Sequence, residues 1–165
     1  MPPITPTSSE FRLALGQFAT GVTIVTAERA PGLVHGMTAN SFTSVSLDPL
    51  LILICVSENA HLLLLIQRHG RFGVNILRDN QRAISEYFAR TDEDPQTEKS
   101  LGIQYRWTEE GIPLLEDALV HLTCKVVSSH SAGDHTVFIA RVESVEVYDG
   151  EPLLYLRGEY RRVAR

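Results

Sequence analysis

The chain has 165 residues, 44% of them hydrophobic, which is one globular domain's worth of core-forming sequence and excludes a disordered or fibrous chain. Its 15 basic and 20 acidic residues give a formal charge of −5, and the basic residues are scattered, so no stripe suits a nucleic-acid backbone. The longest apolar runs, Leu50 to Val56 and Leu62 to Ile66, fall far short of the ~20 residues that span a bilayer. The N-terminus, MPPITPTSSE, has neither the basic start nor the apolar centre of a signal peptide, so the expectation is a cytoplasmic protein with no membrane partner.

In chain order, Thr7-Ser8-Ser9-Glu10 reads as a capping box, and Phe11, Ala14, Leu15 and Phe18 recur at helical spacing to about Ala19. Val22 to Ala27 and the segment from Leu33 flank the turn Ala30-Pro31-Gly32, which predicts a hairpin. LLILICV, from Leu50, is apolar on both faces and predicts a central buried strand. Ser57 or Asn59 is placed to cap a helix over AHLLLLIQRH, closed by Gly70, and Phe72, Val74 and Ile76 then alternate as a strand. Asp79 or Asn80 starts a further helix, and TDEDPQTEKS reads as an exposed acidic loop.

From Ala118 the chain is nearly all strand. Ala118, Val120, Leu122, Cys124 and Val126 alternate, Ser131 to Asp134 turns, and His135 to Tyr148 returns. The apolar parity of that return runs Thr136, Phe138, Ala140, Val142 and then Val145, Val147. An odd step in a two-residue period predicts a bulge near Glu143 and Ser144, the device by which a sheet curls. Pro152 to Arg157 is the last expected strand. Strands without a strand-helix-strand rhythm predict a single domain, residues 1–165, mainly β and antiparallel, curled toward a barrel. Cys55 and Cys124 lie in apolar runs and read as buried thiols.

The eleven glycines form neither a GxGxxG turn nor a GxxxxGK[ST] loop, no GxSxG elbow is present, and the histidine and cysteine spacings do not make a metal set. What remains is HGMTANSFTSVSLDP, His35 to Pro49, a row of neutral hydrogen-bonding residues. Read as one strand, it puts Thr38, Asn40, Ser44 and Ser46 on one face and Ser41 and Thr43 on the other. It is either an exposed edge strand or the lining of a slot for a flat, uncharged, heteroatom-rich ring that brings its own reactivity.

TGVTIVTA (from Thr20), GMTANSFTSVSLDP (from Gly36), ICVSENAH (from Ile54), FGVNIL (from Phe72) and AGDHTVFIARV (from Ala132) together resemble the short-chain flavin reductases, in order and over nearly the whole chain. These are the reductase components of two-component flavin-dependent monooxygenases, built on the FMN-binding split β-barrel, antiparallel and Greek-key-like, with peripheral helices. The resemblance implies a homodimer with flavin, FMN or FAD, at the subunit interface, NADH or NADPH as hydride donor, and a separate monooxygenase as partner. By motif match Thr38, Ala39, Asn40 and Ser41 meet the ring edge and ribityl chain, and Cys55, Val56 and Ser57 continue that wall. Ser57, Asn59, Ala60 and His61 hold the phosphate, Phe72 and Asn75 close the flavin's side, and Gly133, Asp134 and His135 form the element whose histidine places the nicotinamide.

Overall fold

The computed structural model describes residues 5–92 and 94–164. In chain order its elements are α1 (Ser8–Leu15), β1 (Thr20–Gly21), β2 (Thr23–Ala30), β3 (Leu33–Ala39), β4 (Phe42–Leu47), β5 (Leu50–Ser57), α2 (His61–His69), β6 (Arg71–Ile76), α3 (Arg82–Phe88), α4 (Pro95–Ser100), β7 (Tyr105–Trp107), β8 (Pro113–Leu115), β9 (Val120–Ala132), β10 (His135–Val147), β11 (Leu154–Leu156) and β12 (Glu159–Arg161). Seven strands form one antiparallel sheet in the order β3-β2-β6-β9-β10-β5-β4, with β1-β11-β12 and β7-β8 as smaller sheets.

The edges of the large sheet are β3 and β4, yet these strands are consecutive in the chain and only Asn40 and Ser41 lie between them. Two residues cannot cross a flat seven-stranded sheet, whose strands lie about 4.8 Å apart, so the sheet curls until its edges meet at this corner. The protein is therefore mainly β and antiparallel, as the pattern predicts. Among the described residues no ladder joins β3 to β4, so the sheet stays open along that seam and a closed barrel is not seen. The predicted bulge is present: the β9–β10 register shifts between Val142 and Ser144, and again between Ile139 and Ala140.

The core lies inside the curl. Val25, Ile54, Val56, Phe72, Val74 and Phe138 pack against Leu62 and Ile66 of α2. Each such side chain is worth roughly 1.5–3 kcal/mol on burial. The β7-β8 hairpin docks on this body through polar groups. Thr26 Oγ1 donates to the Pro113 carbonyl at 2.5 Å, and a Cβ at Gly73 would come within 2.7 Å of that same oxygen, so only glycine admits the hairpin there.

Several expectations are corrected. The capping box forms, with Glu10 N–H donating to Thr7 Oγ1 at 3.2 Å, but α1 stops at Leu15 with Gly16 as its C-cap, short of Ala19. LLILICV is not central: β5 is next to the edge, and its residues alternate between buried and half-buried because only one of its faces meets the core. Neither Ser57 nor Asn59 caps α2, whose N-cap is Ala60 without a side-chain bond; Ser57 Oγ instead accepts from Asn59 N–H at 3.3 Å. The α3 N-cap is Gln81. Within TDEDPQTEKS, where Glu93 lies outside the described residues, α4 forms because Asp94 accepts from the Gln96 and Thr97 amides and Pro95 occupies the first turn. The last expected strand is a hairpin, β11 and β12, turned at Arg157 and Gly158, both with positive φ.

Candidate functional site

HGMTANSFTSVSLDP is not one strand but two on opposite sheet edges, and its polar residues fall where they meet. Ser41 closes the corner against β5: its carbonyl accepts from Cys55 N–H at 3.2 Å and its hydroxyl donates to the Cys55 carbonyl at 2.9 Å. Leu53 and Cys55 project away from the core, since Ile52, Ile54 and Val56 of the same strand fill it. Over them lies a cavity of about 680 Å³, walled by Asn40 to Thr43 on one side and by Leu15, Phe18 and Tyr155 on the other. Arg12 is the one charged residue of its lining.

A smaller cavity of about 150 Å³ adjoins it, between Thr38, Ser85 and Tyr160, and Asn40 and Tyr155 border both. Thr38 Oγ1 donates to the Ser85 carbonyl at 2.6 Å, and the Ser85 and Tyr160 hydroxyls are 2.8 Å apart, which fixes this wall. Asn40 differs: it is exposed, and its carboxamide makes no hydrogen bond with any described residue. An unpaired amide at the mouth of a cavity lined by a single charged residue offers both a donor and an acceptor to a ligand edge.

Further along β5 a second group assembles. Ser57 follows Cys55 by two residues and shares its outward face, about 7 Å on. Across the ladder, Ser57 pairs with His135 and Cys55 with Val137, so His135 stands on the same face as the cavity wall. Gly133, with φ of +66°, makes the preceding turn. Asp134 Oδ1 accepts from His135 Nδ1 at 2.8 Å, which puts the ring proton on Nδ1 and leaves Nε2 without a hydrogen bond among the described residues. That bond holds the Asp134 carboxyl below the usual carboxylate range. Asn59, Ala60 and His61 lie beside this turn at the start of α2, whose first amides have no side-chain cap, the arrangement that suits an anion. The His61 and His35 rings meet edge to face at 5.0 Å.

The sequence-predicted residues thus separate. Thr38, Asn40, Ser41 and Cys55 border the cavities, and Ser57, Asn59, Ala60, His61, Gly133, Asp134 and His135 gather at the far end of β5. Four others are in the interior. Val56 and Phe72 are fully buried in the apolar core, and Ala39 is buried with its carbonyl accepting from Thr23 Oγ1 at 2.7 Å. Asn75 is also fully buried: its amide donates to the Ile24 carbonyl at 2.9 Å and to Thr26 Oγ1 at 3.1 Å, and its Oδ1 accepts from Leu115 N–H at 2.8 Å. Its hydrogen bonds tie the β8 hairpin to the sheet, and neither it nor Phe72 has a surface to close over a ligand. Sequence reasoning missed Leu15, Phe18, Tyr155 and Leu53 as wall residues. The signal for the first two was the helical spacing of Phe11, Leu15 and Phe18, an apolar side that finds no cover on α1 or just past its end.

The fold and site define a class: a curled antiparallel sheet with a nearly uncharged cavity at the corner where its edges meet. The family model described as "Flavin reductase like domain" matches residues 15–164, and the chain belongs to that family. An "NADH-dependent flavin reductase" of a Rhodococcus species is 46% identical over 162 residues, 97% of this chain and 88% of the relative. "Flavin-dependent monooxygenase, reductase subunit HsaB" of Rhodococcus jostii is 40% identical over 153 residues, 91% of this chain and 75% of the relative. Among solved structures, the NADH:FAD oxidoreductase SgcE6 of Streptomyces globisporus, in complex with NAD and FAD fragments, superposes with a TM-score of 0.87 at 34% identity, covering 99% of this chain and 98% of that one.

Proposed function

We propose that this chain is an NADH-dependent flavin reductase whose flavin ring lies in the cavity between Asn40 to Thr43 and the Leu53–Cys55 face of β5. The observation that carries this reading is the β5–β10 register, which sets His135 opposite Ser57, one strand step beyond Cys55 on the same face. A ring against Cys55 and a histidine beside its far end put two flat ligands within reach of each other. The fit to a flavin is chemical as well as spatial. The cavity is apolar-walled and nearly uncharged, and Asn40 brings an unsatisfied amide to its edge.

The chemistry a bound flavin supplies is acceptance of a hydride from the nicotinamide, so the chain needs no general base. Its residues bind and align. Thr38, Asn40 and Ser41 border the ring edge and ribityl side, the Cys55 side chain forms the floor, and Ser57, Asn59, Ala60 and His61 take the phosphate at the α2 N-terminus. His135, its ring held by Asp134, offers Nε2 to the nicotinamide.

A second copy of the chain covers the open side. Leu13 is 71% and Phe18 74% exposed on the α1 side, and Leu47 of β4 is 85% exposed. Covering them would bury the mouth of the cavity between subunits and complete the split barrel at its seam. Reduced flavin then passes to a separate monooxygenase; the relative from Rhodococcus jostii is named as the reductase subunit of a flavin-dependent monooxygenase. No helix of the described residues is long and apolar enough to cross a membrane.

The test is to mix the protein with FMN or FAD and with NADH or NADPH and follow the nicotinamide absorbance. Oxidation of NADH with at least one flavin is expected, and inertness of all four pairings overturns the reading. His135→Ala should impair nicotinamide use more than flavin binding; the reverse pattern removes His135 from this role.

A further inference from the structure

We infer that Glu58 is a positioning residue that locks His135 to the flavin-phosphate loop, an assignment that rests on the proposed reductase reading. Glu58 is the one residue between β5 and α2 that reaches the β9–β10 turn by both backbone and side chain. Its N–H donates to the Asp134 carbonyl at 2.9 Å, one step past the Ser57–His135 pair that ends the ladder. Its carboxylate folds back, and Thr136 Oγ1 donates to Oε1 at 2.6 Å. Thr136 is buried, at 7% exposure, so this bond is sheltered although Glu58 itself is on the surface.

Three successive residues are therefore fastened from one side: Asp134 by the Glu58 amide, His135 by its ladder pairing with Ser57, and Thr136 by the Glu58 carboxylate. The middle one is the histidine, whose ring is then set by Asp134. A turn at the tip of two long strands would otherwise be free to pivot, since Ser131 to Asp134 are all exposed. The same Glu58 precedes Asn59, Ala60 and His61 directly. The loop assigned to the flavin phosphate and the turn assigned to the nicotinamide consequently move as one unit, with Glu58 touching neither ligand.

The bond needs an acceptor at Oε1, not a charge, and this separates the proposal from a general electrostatic effect. Glu58→Gln keeps a carbonyl oxygen for the Thr136 hydroxyl; Glu58→Ala removes it, and Thr136→Val removes the donor while keeping the side chain's shape. Glu58→Ala and Thr136→Val should each lower kcat/KM for NADH about tenfold, mainly through KM, as loss of one hydrogen bond to a sheltered hydroxyl would. Affinity for oxidised NAD, measured by calorimetry without turnover on the flavin-loaded protein, should fall to match. The flavin dissociation constant should stay within about twofold, Glu58→Gln should behave like the parent, and the double variant should be no worse than either single one.

The proposal is overturned if Glu58→Gln loses as much as Glu58→Ala, if flavin and NAD affinities fall together, or if both single variants match the parent. Thr136→Val, changing only one atom type at a buried site, decides the matter if Glu58→Ala does not fold. A parent protein that oxidises neither NADH nor NADPH with any flavin would instead overturn the reductase reading itself, before any variant is compared.

Discussion

Asn75, within β6, and Asn40, at the corner between β3 and β4, are the same residue type, and the structure uses them in opposite ways. Asn75 is fully buried and spends its amide on three protein groups, Ile24, Thr26 and Leu115. Asn40 is exposed between two cavities and bonds to none. A polar side chain whose valences are filled by the chain builds the fold. One whose valences are open at a cavity mouth is available to a ligand.

The largest test of this contrast is Asn75→Ala. It strands the Leu115 amide and removes two donors at the junction of β2, β6 and β8, so chemical denaturation should show a loss of about 3 kcal/mol. A loss under about 1 kcal/mol would mean the tie is not structural. The cysteines divide the same way, with Cys124 buried and Cys55 on the cavity floor. Burial pushes the Cys124 thiol up to about 12, with the Glu143 charge adding to it. The unfolded thiol ionises near pH 8.5, so the stability that Cys124 contributes is whole below that pH and drains as pH rises toward 12. Between pH 8 and pH 10 the parent should lose about 2 kcal/mol more than Cys124→Ala does. Equal slopes for the two proteins would place the thiol in contact with water.

Asn40→Ala comes next. Being exposed and unbonded, Asn40 should be replaceable within about 0.5 kcal/mol of stability, while flavin affinity, read by fluorescence quenching, falls about tenfold. Unchanged flavin affinity would return Asn40 to the surface and leave the slot without its edge donor.

The contrast also marks what the sequence could and could not disclose. Alternation along Thr136 to Val147 carried enough information to locate a bulge, because a parity break is a local property of one strand. The polar row from Thr38 to Ser46 was visible too, but not that it crosses between sheet edges, since edge status depends on pairings with β2 and β5 that no local pattern encodes. Asn75 and Phe72 sit in a recognisable FGVNIL segment, and the motif drew both to the ligand. Asn75 is instead buried by its bonds to the β8 hairpin, some 40 residues later in the chain, and Phe72 by the apolar core against α2. The wall residues Leu15, Phe18 and Tyr155 come from the two ends of the chain and meet only in three dimensions. The helix α4 was missed because its formation rests on the Asp94 cap and Pro95 rather than on an apolar stripe.

The smallest expected effect is the most direct check on where the ring lies. Cys55 is half-buried and on the cavity floor, with its carbonyl taken by the Ser41 hydroxyl and its N–H by the Ser41 carbonyl, so the side chain alone faces the ligand space. A small thiol reagent at pH 8 should label one cysteine per native chain, because Cys124 stays protonated and enclosed. Saturating FMN or FAD should slow that labelling by about threefold or more, as a pocket ligand covers most of the surface it contacts. Because the reagent reads Cys55 without turnover, the result does not depend on NADH at all. Protection by flavin alone places the ring over β5. Labelling that ignores flavin but responds to NAD would shift the flavin toward Tyr160 and leave the Cys55 floor to the nicotinamide.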